Sequence, residues 1–131
     1  MADNHFINPD GLTTPTGYTH VVDTSGQRTI YISGQVAINN MGEIVGVGDI
    51  RAQTEQVFEN LRIALAAVNA TFNDVVKIGV FVTDISQIPI VREVRNRYLN
   101  MATPPASTAV EVRALVRPEL LVEIEATAVL A

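Results

Sequence analysis

The stretch PPASTAVEVRALVRPELLVEIEA, residues 104–126, decides how this chain is read. Its last part and the residues after it alternate. Leu120, Val122, Ile124, Ala126 and Ala128 fall on one side, and Leu121, Glu123, Glu125 and Thr127 on the other. A period of two is the mark of a strand with one buried face. The first part reads as another strand, so a closing hairpin with a tight turn is expected. A one-residue slip would exchange its two faces, so Ala109, Glu111 and Arg113 are expected beside Glu123 and Glu125. Arg113 then sits opposite or diagonal to Glu123. Two readings follow: an ion pair within the sheet, or a carboxylate in a cleft that moves a proton. Glu123 ranks above Glu125 for the second, since it lies nearer the turn.

Outward from that stretch the elements alternate. Residues 1–16 are polar and rich in turn formers and read as an N-terminal arm. YTHVVD and RTIYISGQVAI read as strands, with NNMGE as a turn between Ile38 and Ile44. In GDIRAQTEQVFENLRIALAAVNA, the residues Ile50, Val57, Phe58, Leu61, Leu65 and Val68 keep a helical period behind an Asp49 cap. Arg51, Gln53, Glu55, Glu59 and Arg62 are assigned to its wetter side. DVVKIGVFVTD is apolar on nearly both faces and so is expected at the centre of a sheet. DISQIPIVREVRNRYLNM reads as a second helix with a buried stripe of Ile90, Val91, Val94, Tyr98 and Met101. Its start is capping-box-like from Asp84 and Gln87, with Ser86 as the other cap, and ATPPA stops it.

The order β-β-α-β-α-β-β predicts an α+β fold, a mixed sheet with two helices packed on one face, in one domain over residues 1–131. The face away from the helices would carry Glu111, Arg113, Glu123 and Glu125 with Leu121 and Val129. That is too apolar for a free surface and too charged for a core. An oligomer closing around it resolves the conflict.

Composition removes several function classes. The chain of 131 residues has no cysteine, which rules out a disulfide framework and a thiolate nucleophile or metal site. Nine Lys and Arg stand against fourteen Asp and Glu, a formal charge of −5. That disfavours nucleic acid as a partner. No apolar run approaches the ~20 residues of a membrane helix, and the N-terminus lacks the pattern of a signal peptide; a cytoplasmic address is expected. His5 and His20 lack metal-ligand spacing, and no cofactor fingerprint is present. Ser33, at the end of a strand beside Gly34, reads locally as turn chemistry. Arg92, Arg95 and Arg97 are an anion site or a solvated face.

YISGQ, the helix ending QVFENL, VVKIGVFVTDI, PPAS and VEIEA, in that order, resemble the RidA family (YjgF/YER057c/UK114) from about Tyr18 to the C-terminus. The resemblance implies a chorismate-mutase-like layer fold in which three chains close a barrel, with pockets between subunits and no cofactor. It implies hydrolysis of reactive enamines or imines to a carbonyl compound and ammonia. A non-catalytic trimer that binds a small metabolite is the alternative. Some family members are described as endoribonucleases; the acidic composition argues against that role here. By matching motifs, Tyr18 and Ser33 correspond to pocket residues, and Glu123 to the acid that orients the attacking water.

One motif departs from the family. Deaminating members carry arginine two residues after the proline, where it clamps the substrate carboxylate; this chain has Ser107. A hydroxyl is no substitute for a planar fork of donors, and a lost charge-assisted bond costs about 1.5–3 kcal/mol. Arg113 is too far along the strand, roughly 20 Å for six residues. Arg95, three residues before Tyr98, is the alternative anion contact, and Ser107 itself becomes a hydrogen-bonding position.

Overall fold

The structure, a computed structural model, describes residues 2–131. Eight regular elements follow one another: β1 (Asp3–Ile7), β2 (Val21–Ser25), β3 (Arg28–Val36), α1 (Ile50–Ala66), β4 (Val75–Val82), α2 (Ile88–Tyr98), β5 (Ala106–Glu111) and β6 (Val122–Leu130). Four strands form a mixed sheet in the order β3-β6-β4-β5, and both helices pack on one face of it. β1 and β2 form a separate antiparallel ribbon. The expected α+β class and the helix layer are present.

The strand pairing corrects the sequence reading in two places. β5 and β6 are not a hairpin. β4, α2 and β5 make a crossover unit, so β5 lies parallel to β4 at the sheet edge. β6 runs antiparallel between β3 and β4. A crossover connection places its strands parallel, and alternation along β6 says which face is buried but not which strand is the neighbour. Similarly β2 pairs with β1, inside the segment read as an arm, and not with β3.

These pairings redistribute the charges. Ser107, Ala109 and Glu111 align with Ile78, Val80 and Val82, on the helix side of the sheet. Glu111 is therefore not on the glutamate face; its Oε1 accepts the Ile85 N–H at 3.0 Å. Arg113 lies beyond the end of β5 and makes no ion pair with Glu123. Val129, expected on the open face, is buried with Ala2, Val76 and Val22 where the ribbon covers one end of the sheet.

The core lies between sheet and helices. Val57, Phe58, Leu61 and Leu65 of α1 meet Val122, Ile124, Ala126 and Ala128 of β6, all fully or almost fully buried. Each large side chain contributes about 1.5–3 kcal/mol on burial. Phe58 stacks on Tyr98 with ring centroids 5.0 Å apart, and Phe72 meets both edges-on or tilted. Asp49 caps α1 through the Ala52 N–H, as expected. Asp84 instead caps the short 3-10 turn Ile85–Gln87, and α2 starts after it with proline in its first turn and no side-chain cap from Gln87. Proline suits that position because its missing N–H would have no intrahelical partner there.

Gln53 is also corrected: it is 0% exposed. Its Nε2 donates to the carbonyls of Gly46 and Glu119, and its Oε1 accepts the Leu121 N–H. One amide thus ties the loop before α1 to the segment leading into β6. A polar residue survives inside because each of these bonds is made.

Candidate functional site

The candidate side chains fall into two groups, on opposite faces of the sheet. The first lies between α2 and β5. The loop carrying Tyr18 is tied to the PPAS segment through Thr19, whose N–H donates to the Pro105 carbonyl and whose hydroxyl donates to the Pro104 carbonyl. Tyr18 and Ser107 therefore face a common cavity of about 190 Å³, together with Thr16, Arg92 and Arg95. Its floor is apolar, from Val80, Ile88, Val91 and Ala109. That volume is below the ~300–1,000 Å³ of drug-sized sites and suits a ligand of metabolite size.

Arg95 is the main electrostatic feature of this cavity. Its guanidinium is half-buried and lies over Gly17, with Nη2 2.6 Å from where a Cβ on that glycine would stand. Gly17 also has φ +79°, so the backbone conformation independently favours glycine. Burial first, and the charge of Arg92 second, lower the pKa of Arg95. Its only side-chain partner among the described residues is the Asn96 amide oxygen, at 3.0 and 3.2 Å. No carboxylate lines the cavity. Burying a cation without a counter-ion is costly, and an anionic ligand would remove that cost.

The three arginines of α2 thus divide. Arg97 pairs with Glu55 across the helices at 2.7 Å on the exposed side, while Arg92 and Arg95 face the cavity. Their spacing of three already placed them on one helical face; the sequence did not reveal which face. Thr16 carries no signal in the sequence, because loop residues have no periodicity.

The second group is on the open face. β3 bulges at Ser33–Gly34, where the register with β6 shifts between Ile32 and Gln35. Ser33 is exposed there. The Glu123 carboxylate lies against Gly34, so closely that a Cβ at that glycine would overlap it. Glu125 does the same at Gly79, with Oε1 2.9 Å from the position of a Cβ. The two carboxylates of VEIEA therefore meet glycines on the flanking strands and not a cation. Glycine at both positions is explained by this close approach, without positive φ. Neither Glu123 nor Ser33 lines the cavity that holds Tyr18, Arg95 and Ser107.

The family model described as Endoribonuclease L-PSP matches residues 10–130. Protein DfrA of Myxococcus xanthus is 38% identical over 112 residues, 86% of this chain and 84% of that one. The 2-iminobutanoate/2-iminopropanoate deaminase of Mus musculus is 40% identical over 103 residues, covering 78% of this chain and 74% of its own. The crystal structure of a Rid-family protein of unknown function from Yersinia pestis superposes with a TM-score of 0.85 at 38% identity, covering 97% and 98% of the two chains.

Proposed function

The chain belongs to the Endoribonuclease L-PSP family, the RidA family, and from that premise we propose that it hydrolyses a reactive imine, or the enamine that tautomerises to it, to a carbonyl compound and ammonia. The observation that carries this reading is the cavity holding the half-buried Arg95 with Tyr18 and Ser107 and no acid. It suits a small substrate with a carboxylate. Relatives named as deaminases of such imines support the reaction class.

Arg95 takes the carboxylate, in place of the arginine absent at position 107. Ser107 hydrogen-bonds the substrate, and Tyr18 walls the pocket. Water adds to the C=N carbon; its proton goes to a carboxylate, and the nitrogen is protonated. The carbinolamine then loses ammonia and the C=O bond forms. Glu123 is the acid–base group, with Ser33 beside it as a further hydrogen-bonding residue. Within one chain the sheet separates Glu123 from Arg95. The reading therefore has neighbouring copies of a homotrimer, each a single domain over residues 1–131, complete each other's sites. The open face supports this: Tyr31 is 81% exposed on it, beside the glutamates. No organic cofactor or metal enters these steps.

The same cavity supports a second reading. The cavity with Arg95, Tyr18 and Ser107 is assembled within one chain and lacks the acid. That suits a trimer that binds a small metabolite without turning it over. The deciding experiment is ammonia release from freshly generated imines, with and without a carboxylate, by the wild type, Glu123→Gln and Ser107→Arg. Turnover by the wild type that disappears in Glu123→Gln supports the hydrolase. Turnover only in Ser107→Arg rejects it for this chain and favours the binding protein. An endoribonuclease is the least favoured reading at a net charge of −5; steeply salt-dependent RNA binding would be its signature.

A further inference from the structure

Arg92 is not explained by a monocarboxylate held on Arg95. It stands one helical turn before Arg95, at the mouth of the same cavity, and makes no ion pair among the described residues. No acid on the neighbouring segments forms an ion pair with it among the described residues. Glu93 pairs with Arg51 on α1 at 2.7 Å, and Glu111 on β5 accepts the Ile85 N–H. Asp84 bonds the backbone and hydroxyl of Ser86. Two like charges three residues apart on a helix repel each other, and a ligand with a single charge neutralises one of them. Arg92 also borders a shallow groove with Ile85, Ser86 and Ala109 that continues from the cavity mouth. Ile88 and Pro89 complete its mostly apolar lining, so the Arg92 guanidinium is the one charged group a ligand extended along it would meet among the described residues.

We propose that the site takes a dicarboxylate: an imine whose first carboxylate sits on Arg95 and whose second, further along the carbon chain, sits on Arg92. The inference names the substrate class of the hydrolase reading and rests on it. A total charge of −2 matches the two guanidiniums. Planar carboxylates suit their fork of donors, and a cavity of about 190 Å³ holds a short chain between them.

The test uses stable probes and measures binding apart from turnover. Succinate and butyrate have the same carbon number and differ in the second carboxylate. By NMR titration of the wild-type protein, succinate binds roughly 10- to 100-fold more tightly than butyrate, the range for one added charge-assisted contact. Arg92→Gln abolishes that preference and Arg92→Lys keeps part of it; Arg95→Gln weakens both probes. Arg92 is exposed, and far-UV circular dichroism confirms that each variant is folded. Equal binding of the two probes by the wild type, or a preference that survives Arg92→Gln, overturns the inference. Tighter binding of phosphoglycolate than of succinate overturns the choice of carboxylate for the second group. Arg92-dependent succinate preference without turnover of any imine rejects the hydrolase and leaves the dianion site standing. Turnover of monocarboxylic imines without that preference rejects the dianion site and leaves the hydrolase.

Discussion

Gly17→Ala tests the placement of Arg95, and Gly42→Ala is its control. Both glycines have nearly the same left-handed backbone, φ +79° and +78°. An alanine there is strained by about 1–2 kcal/mol, partly offset by the ~0.4–1 kcal/mol gained from a stiffer unfolded chain. Each variant should therefore lose about 1 kcal/mol in urea unfolding. The surroundings differ. Around Gly42 a Cβ meets nothing within 4 Å, whereas at Gly17 it stands 2.6 Å from Nη2 of Arg95. The guanidinium must shift from its place over Gly17. If it holds a carboxylate there, the lost contact is worth about 1.5–3 kcal/mol, roughly 10- to 100-fold in affinity. Butyrate titrated by NMR into the two variants measures this directly. Weaker binding in Gly17→Ala alone is expected. Equal binding in both variants, at matched stability, refutes the placement of Arg95 as the anion contact.

Gly34→Ala displaces the Glu123 carboxylate and should lower imine turnover at least tenfold, while Gly79→Ala, which disturbs Glu125 instead, should leave more of it; ammonia release compares the two. Gln53→Leu removes three hydrogen bonds to the backbone and strands the Leu121 N–H; at about 1 kcal/mol per bond, a loss of ~2–4 kcal/mol is expected from chemical denaturation. Burial, and then the charge of Glu59, raise the pKa of Tyr98 above its ordinary 10.0. A raised value means that the folded state holds this proton more tightly. The stabilisation is therefore full below about pH 10 and is lost as pH rises through the folded value. Tyr98→Phe should flatten that alkaline fall in a Tm-versus-pH series. In sedimentation equilibrium the wild type should run at three chain masses; a monomer would leave Glu123 and Arg95 in separate half-sites.

What the sequence determined by itself was periodic or locally chemical. The alternation of Leu120 to Ala128 marked the buried face of β6, and the stripe from Ile50 to Leu65 marked the inner face of α1. Asp49 announced the helix start because a cap bonds within its own first turn. Short motifs in a fixed order were enough to place the chain in its family. What only the tertiary structure decided depends on partners distant in sequence. The pairing of β5 with β4 moved Glu111 and Ser107 to the helix side, since periodicity fixes a strand's faces and not its neighbours. A glutamine by its type is usually exposed; three backbone groups, from the loop before α1 and from the distant segment leading into β6, make the burial of Gln53 tolerable. Spacing sets Arg95 and Arg97 on different faces of α2, but only the structure shows that Glu55 engages one and the cavity takes the other. The sheet that separates Glu123 from Arg95 is the least legible feature of all. A motif gives residue types in order, whereas the face each one occupies depends on how the whole chain is paired.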